Sequence, residues 1–525
     1  MLEIAGFQGK GMTMTAFCKR LLLLLICGMI SLPVLSKGVI YDGDGSDEPG
    51  FVPLPQKRKA PPPPPANISS GESYIPYPGP PVTPMRRSEK KKPPSPPVMF
   101  VKLTSNYGGQ DWNSRPNDLN HLLKAMKKLA DVDFQCEVRS FKDVSADPDR
   151  NPILYRSGHF HFSFTNDEKK KLREFLLNGG MVIFNAGLGS KPFYDSARQV
   201  MAEVLPESPV QRLSPDHPAF HAYYDLDRAA YLPAVRKAGY QGDEPWLEGV
   251  TVNCRTVAII SRWGMDAGWD PDAEDGDAQA YEPEAARKLG LNLVSYATAM
   301  RAWSKNATGA MQFVDAPDDS TGGKMALTQV IYRGEWKTRH SGLSVLLQQF
   351  NKRTEIPVKF ARNEVRLTDP KLFGAPVIYM TGHEDFTLDA DEIAALRRYL
   401  KNGGMVIAEA CCGREGFDRA FREAMGKVLP GSPLQPIQPD SLIFSMPNQI
   451  TELAVTPALA AQNENKPTLP PKLLGIELDG HQAVIYSPYG MAGGWELSQS
   501  PYAIGYADDA AIKLGENILM FAITK

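Results

Sequence analysis

Cysteine is scarce in this chain, with six thiols in 525 residues. Cys18 and Cys27 lie within the first 36 residues, which leaves Cys136, Cys254, Cys411 and Cys412 for any folded part. None of the spacings is that of a zinc site, so the sequence predicts no metal and no cofactor. Two readings of Cys136 and Cys254 stand: a disulfide in an oxidising compartment, or two buried thiols. Adjacent Cys411 and Cys412 could bridge each other only through a strained ring. A dominant charge is also missing. Lys and Arg number 58 against 60 Asp and Glu, a net −2, which removes the strong field that a nucleic-acid binder would carry. There is no Gly-x-Ser-x-Gly elbow and no recognised phosphate loop. Gly179-Gly180 and Gly403-Gly404 precede strand-like runs, the wrong side for cradling phosphate at a helix start.

Among the features present, Lys19-Arg20 precedes an apolar run from Leu21 to Leu35. That run is shorter than the roughly 20 residues of a comfortable membrane span and has the layout of a secretory signal. Residues 1–36 are therefore read as a signal peptide or a signal anchor, with the folded part exported. This places it in the periplasm or outside the cell, with N-terminal membrane attachment as the alternative to cleavage. Residues 37–97 hold Pro61 to Pro65 and the basic clusters Lys57-Arg58-Lys59 and Lys90-Lys91-Lys92. Such a segment favours extended polyproline II, cannot bury a core, and is read as a disordered linker. Asp42-Gly43-Asp44-Gly45-Ser46-Asp47 lacks the glycine and glutamate spacing of a calcium loop.

The rest of the chain contains itself twice. Trp112 to Phe220 aligns with Trp336 to Phe444 at a constant offset of 224 (336 − 112). Between 151–189 and 375–413, 18 of 39 positions are identical. Later segments repeat at 226, as Gly249 does in Gly475 and Trp269 in Trp495. So long a period implies a duplicated domain rather than a solenoid unit, with copies at 98–305 and 324–525. Each copy alternates short apolar runs with amphipathic segments. Met99–Leu103, Pro152–Arg156 and Met181–Phe184 read as strands, and 117–129 and 166–177 as helices. Copy two repeats the pattern, and both copies end in a helix, at 284–299 and 509–523. The expected class is α/β: two doubly wound, mostly parallel sheets.

In such sheets ligands bind beyond the carboxyl ends of the strands. Thr381-Gly382-His383 follows one strand of copy two and Ala410-Cys411-Cys412-Gly413 the next. A cysteine on a tight strand-to-helix turn suits a nucleophile, so Cys411 with His383 as base is the candidate catalytic pair. Copy one keeps His159 but reads Ala186-Gly187-Leu188-Gly189 at the elbow. It also carries His217-Pro218 where copy two has Ser441-Leu442. Each copy thus looks like half a site; the structural alternative is that His159 and His383 cap strand ends. Tryptophans beside acids recur: Trp112 after Asp111, Trp336 after Glu335, and Trp495 before Glu496. With His159 and His217 these form a candidate ligand surface for sugar or peptide, since indole gives a flat apolar face and the acid a directional acceptor. The alternative is packed tryptophan beside solvated carboxylate.

The run of Tyr-x-x-Gly-His, Asn-Gly-Gly, Cys411-Cys412-Gly413, Ser487-Pro488-Tyr489 and Gly494-Trp495 resembles the bacterial domain of unknown function 4159. The resemblance covers nearly all of 99–299 and 325–524 and is sharper in copy two. It implies a fold similar to class I glutamine amidotransferases, with a flavodoxin-like sheet and a cysteine at the place of Cys411. It implies no activity, and copy two has no counterpart of the glutaminase triad's later histidine and glutamate. The reading is an exported envelope protein, a non-catalytic binding or scaffolding module whose partners are envelope polymer or envelope proteins. The alternative is a thiol-dependent hydrolase or amidase acting through Cys411 and His383.

Overall fold

A computed structural model of the chain describes residues 97–104, 111–130, 132–145, 147, 152–270, 277–307, 327–339, 341–358 and 363–524. The signal, linker and Asp42–Asp47 readings lie outside these residues. No described helix is long and apolar enough to cross a membrane.

Copy one contributes β1 (Val98–Leu103), β2 (Phe134–Arg139), β3 (Ile153–Gly158), β4 (Met181–Ala186), β5 (Gln211–Arg212), β6 (Leu247–Val252) and β7 (Arg255–Ser261). Copy two contributes β8 (Thr328–Ile331), β9 (Asn363–Arg366), β10 (Val377–Gly382), β11 (Met405–Ala410) and β12 (Gln435–Pro436). A small β13–β14 ribbon (Leu453–Ala454, Thr468–Leu469) follows, then β15 (Leu474–Leu478) and β16 (His481–Ser487). The first sheet runs β2-β1-β3-β4-β7-β6-β5, and the second, read from the other end, β9-β8-β10-β11-β16-β15-β12. Five strands of each are parallel, and an antiparallel pair completes the edge. The two orders are the same topology, as the repeat requires. Both show the same register shift, after Val250 and after Ile476.

Successive side chains point to opposite faces of the sheet, and on the central strands both sets are buried. Phe100, Ile153, Tyr155 and Ile183 pack on one face with α1 (Asp118–Ala130). Val101, Leu154, Val182 and Phe184 pack on the other, against α2 (Asn166–Leu177) and α3 (Lys191–Val204). The closing helix α4 (Pro283–Ala307) joins the first face. Copy two repeats this with α5 (Gly342–Thr354) and α8 (Asp508–Thr524) on one face, and α6 (Ala390–Lys401) and α7 (Glu415–Val428) on the other. Both sheets are thus covered on both faces. Matching capping boxes, Thr165 with Glu168 and Asp389 with Glu392, start α2 and α6. The helix after β4 begins at Lys191 and that after β11 at Glu415, so both strands end in the same short elbow.

Candidate functional site

The parallel strands of copy two end on one edge, and three loops open there. The loop after β8 carries Glu335, Thr338 and Arg339; His383 and Glu384 follow β10; Cys411 and Cys412 follow β11. The last turn is tight. Cys412 has φ 56, and at Gly413 (φ 66) a Cβ would sit 2.5 Å from the Ile504 carbonyl oxygen. Copy one bends identically, with Leu188 at φ 52. The elbow is therefore shared, and only its chemistry differs.

A fourth element reaches this edge from copy one. Between β6 and β7 the chain turns in two residues, Asn253 (φ 50) and Cys254 (φ 59). Two left-handed residues make the turn whose twist matches a hairpin, and Asn-Gly or Asp-Gly is its easiest sequence. Copy two uses that easy sequence, Asp479-Gly480, at the corresponding turn. Copy one instead holds a cysteine where left-handed backbone costs an L-residue about 1 kcal/mol, and the thiol points into copy two.

There it meets two further thiols and an imidazole. Cys254 Sγ lies 3.1 Å from Cys411 Sγ and 3.2 Å from His383 Nε2. One donor atom each from Cys254, His383, Cys411 and Cys412 fit within 4.8 Å of one another. The 3.1 Å sulfur separation is longer than the ~2.05 Å of a disulfide, and the four cysteines beyond the N-terminal segment are free. His383 Nδ1 stands 2.8 Å from Glu335 Oε2, which orients the ring and leaves Nε2 facing the sulfurs. Arg339 lies over the cluster with Nη2 3.7 Å from Cys412 Sγ, anchored by the Glu496 carboxylate and the Ser498 carbonyl.

Burial pushes the Cys254 and Cys411 thiols above the ordinary range. Cys412 is drawn well below it, first by hydrogen bonding from the Cys254 and Cys411 sulfurs, then by His383 and Arg339. Burial opposes charge on His383, but the sulfurs, Cys411 foremost, and Glu335 outweigh it and raise its pKa well above the usual imidazole value. His383 and Arg339 thus favour thiolate at Cys412, whereas burial disfavours it at Cys254 and Cys411.

The joint around it is polar and closed. Arg414 donates to the Asp216 carbonyl at 2.6 Å and to Ser214 Oγ at 2.8 Å, and pairs with Glu384 at 3.3 Å. Glu384 accepts the Ser214 N–H, and Asp216 accepts the Glu415 N–H. Tyr296 of copy one stacks on Tyr502 of copy two. What remains is a cavity of about 30 Å³, lined by His217, Cys254, His383, Cys412 and Arg414 among others. That is room for a water or two, not for a sugar or a peptide.

The structure places the sequence candidates as follows. His383 and Cys411 stand together, though the apex of the elbow is Cys412 and Cys411 is only 1% exposed. His217 lines the same cavity, but its nitrogens are occupied: Nδ1 accepts the Ala219 N–H, so Nε2 carries the proton toward Thr256 Oγ1. Burial holds its pKa well down. His159 is apart from all of these, its Nδ1 3.0 Å from the Gly187 carbonyl oxygen, as a strand-end cap. Glu335 supports His383, and Glu496 binds Arg339 and Ser341. Trp495 is 1% exposed, with its indole N–H on the Ala511 carbonyl, so it offers no face to a polymer. Trp112 and Trp336 are half-buried. Cys136 does not pair with Cys254. Nothing in the sequence alone marks Arg339 or Arg414, and Cys254 reads there only as a disulfide partner or a buried thiol. The one available signal was Cys254 standing where the other copy has glycine.

A family model described as "Domain of unknown function (DUF4159)" matches residues 99–298 and again 326–523. No curated protein matches the chain. Among solved structures the chain is similar to alpha-L-fucosidase isoenzyme 2 from Paenibacillus thiaminolyticus, at 10% identity over 81% of this chain and 83% of that one. The TM-score of that match is 0.20, too low to carry an argument.

Proposed function

The chain belongs to this family, once in each copy, and from that premise we propose that it is a non-catalytic scaffolding protein whose copies are clamped by a zinc-class ion. The carrying observation is that Cys254 of copy one joins His383, Cys411 and Cys412 of copy two within 4.8 Å. Three thiolates and an imidazole are a preferred donor set for tetrahedral zinc. With Zn–S of about 2.3 Å, tetrahedral sulfurs lie ~3.8 Å apart, so the 3.1 Å pair needs only to spread slightly. A ligating histidine characteristically gives its other nitrogen to a carboxylate, and Glu335 is in that place. Three thiolates leave the ion with one surplus negative charge, and Arg339 stands against it.

A closed four-ligand site with no open position supports a structural role. The hairpin of copy one then corks the edge where copy two would otherwise receive a ligand. The thiol-hydrolase reading needs a free thiol and a substrate path, and the small cavity argues against it. An envelope location and envelope partners belong to the same proposal; the apolar Leu21–Leu35 run and the proline-rich segment support them.

The test is metal content of the full-length chain purified without chelator and after zinc reconstitution. One zinc per chain is expected, and Cys254→Ser and His383→Ala should fill on reconstitution but give the metal up to a competing chelator that the wild type resists. A metal-free wild type that ignores added zinc would overturn the clamp. Rapid alkylation of Cys411 with loss of an amidase activity would instead favour the hydrolase.

A further inference from the structure

The joint between the copies uses one face of each. Copy one presents the Ser214–His217 loop, the Asn253-Cys254 hairpin and Tyr296. Copy two presents its elbow edge at His383, Glu384, Cys412 and Arg414. Because the copies share one topology, each also owns the face the other uses, and two such faces are left over.

The leftover face on copy two is a groove. Offsets of 224 to 226 carry His217 to Ser441, Thr251 to Glu477, Cys254 to Gly480 and Tyr296 to Phe521. All four counterparts line one cavity of about 660 Å³. Their equivalents in copy one are the residues that copy two covers, leaving about 30 Å³. Ser214 is buried in the joint, whereas its counterpart Gln438 is exposed. Leu442, the counterpart of Pro218, is 50% exposed at the groove.

The leftover face on copy one is its elbow edge. Phe160 stands where copy two has buried Glu384, and Leu188 where it has Cys412. They are 57% and 44% exposed. With Leu442, they are three of the eight described large apolar side chains that are exposed. Exposed apolar side chains therefore stand on both of the faces whose counterparts are already buried against each other.

We propose that the groove of copy two receives the elbow edge of copy one from a second molecule of this chain. The contact repeats the internal joint, so it is heterologous and leaves a free groove and a free edge at the ends for further molecules. Its chemistry differs from the internal joint. Gly480 replaces Cys254, and Gly187 and Leu188 replace Cys411 and Cys412. No thiol is present on either face, so this contact is reversible and indifferent to metal; Leu442, Phe160 and Leu188 supply its apolar part among the polar groove residues Gln438, Asp440 and Glu477. It stands whether or not the internal clamp holds zinc.

Two substitutions on exposed side chains test it in the full-length chain. Leu442→Asp spoils the groove. Leu188→Asp spoils the edge at a left-handed position (φ 52) that aspartate tolerates. Sedimentation across low to high micromolar concentration should show wild-type mass rising past two chains, unchanged by chelator. Each variant alone should stay at one chain, with wild-type thermal unfolding and metal content. An equimolar mixture should form a species of two chains and nothing larger, because one sound groove and one sound edge remain. A wild type that stays at one chain overturns the proposal. So do variants that assemble like the wild type, or a mixture of correctly folded variants that does not pair.

Discussion

Replacing Cys254 with glycine gives opposite expectations for a packing residue and for a ligand. Cys254 occupies φ 59, where copy two has Gly480. Relief of left-handed strain contributes about 1 kcal/mol in favour of glycine. Loss of the buried side chain costs about 1 kcal/mol, by the worth of one or two buried apolar atoms. Without metal these terms nearly cancel, and Cys254→Gly should unfold in denaturant within about 1 kcal/mol of wild type. With zinc the variant has three donors in place of four. An affinity loss of about 100-fold removes about 2.7 kcal/mol of linkage stabilisation at saturating zinc. The assay is equilibrium urea unfolding of both proteins, in chelator and in buffered zinc. The difference of differences is about 2.7 kcal/mol, and the strain and packing terms drop out of it. If the substitution shifts stability equally in both buffers, Cys254 is not a ligand and the reasoning fails.

Glu335→Gln keeps all four donors but weakens the hold on His383 Nδ1; zinc affinity, read by competition with a chromogenic chelator, should fall about 10- to 100-fold. Arg414→Ala leaves Glu384 buried without its cation, and urea unfolding should show a loss of about 3–5 kcal/mol, partly recovered by Glu384→Gln in the same chain. A buried aspartate gives a pH signature. Burial, outweighing Lys102, raises Asp118 from 3.8 to about 6. A folded pKa above the unfolded one means that the folded state holds the proton more tightly, so this group costs stability above about pH 6 and the cost fades as pH falls toward its ordinary value. At about 1.36 kcal/mol per unit, acidifying from about pH 7 to about pH 4.5 recovers about 2 kcal/mol. Asp118→Asn should lose that pH dependence, and comparing the two unfolding curves at each pH checks it.

The architecture was readable because each copy states it independently. The α/β reading follows from periodicity, and Asn178-Gly179-Gly180 and Asn402-Gly403-Gly404 mark the same helix ends, with Gly179 and Gly403 left-handed. The helical pattern over 166–177 coincides with α2 at both ends. The edge strands β2 and β9 escaped notice because Phe134–Arg139 and Asn363–Arg366 are half-exposed and lack a clean apolar alternation. Leu129 shows the limit of periodicity: it reads as part of the inner stripe of α1 but is exposed at the helix end, where Ala130 turns inward. The site was half legible. His383 and the elbow cysteines follow from strand ends, since a parallel sheet brings those loops to one edge. Cys254 could not be placed there, because its contact with His383 spans 129 residues and two domains. Zinc-type spacing is local by definition, and a ligand set split across a duplicated domain has none. Adjacency in sequence does not fix direction either: Trp495 and its neighbour Glu496 diverge, one into the core and the other to Arg339.

The most direct measurement is X-ray absorption at the zinc edge of the reconstituted full-length chain. The clamp predicts three sulfur neighbours at about 2.3 Å and one nitrogen at about 2.0 Å, with one sulfur lost in Cys254→Ser. A shell of oxygen and nitrogen alone, or a protein that excludes zinc while Cys254 and Cys411 close into a disulfide, contradicts it.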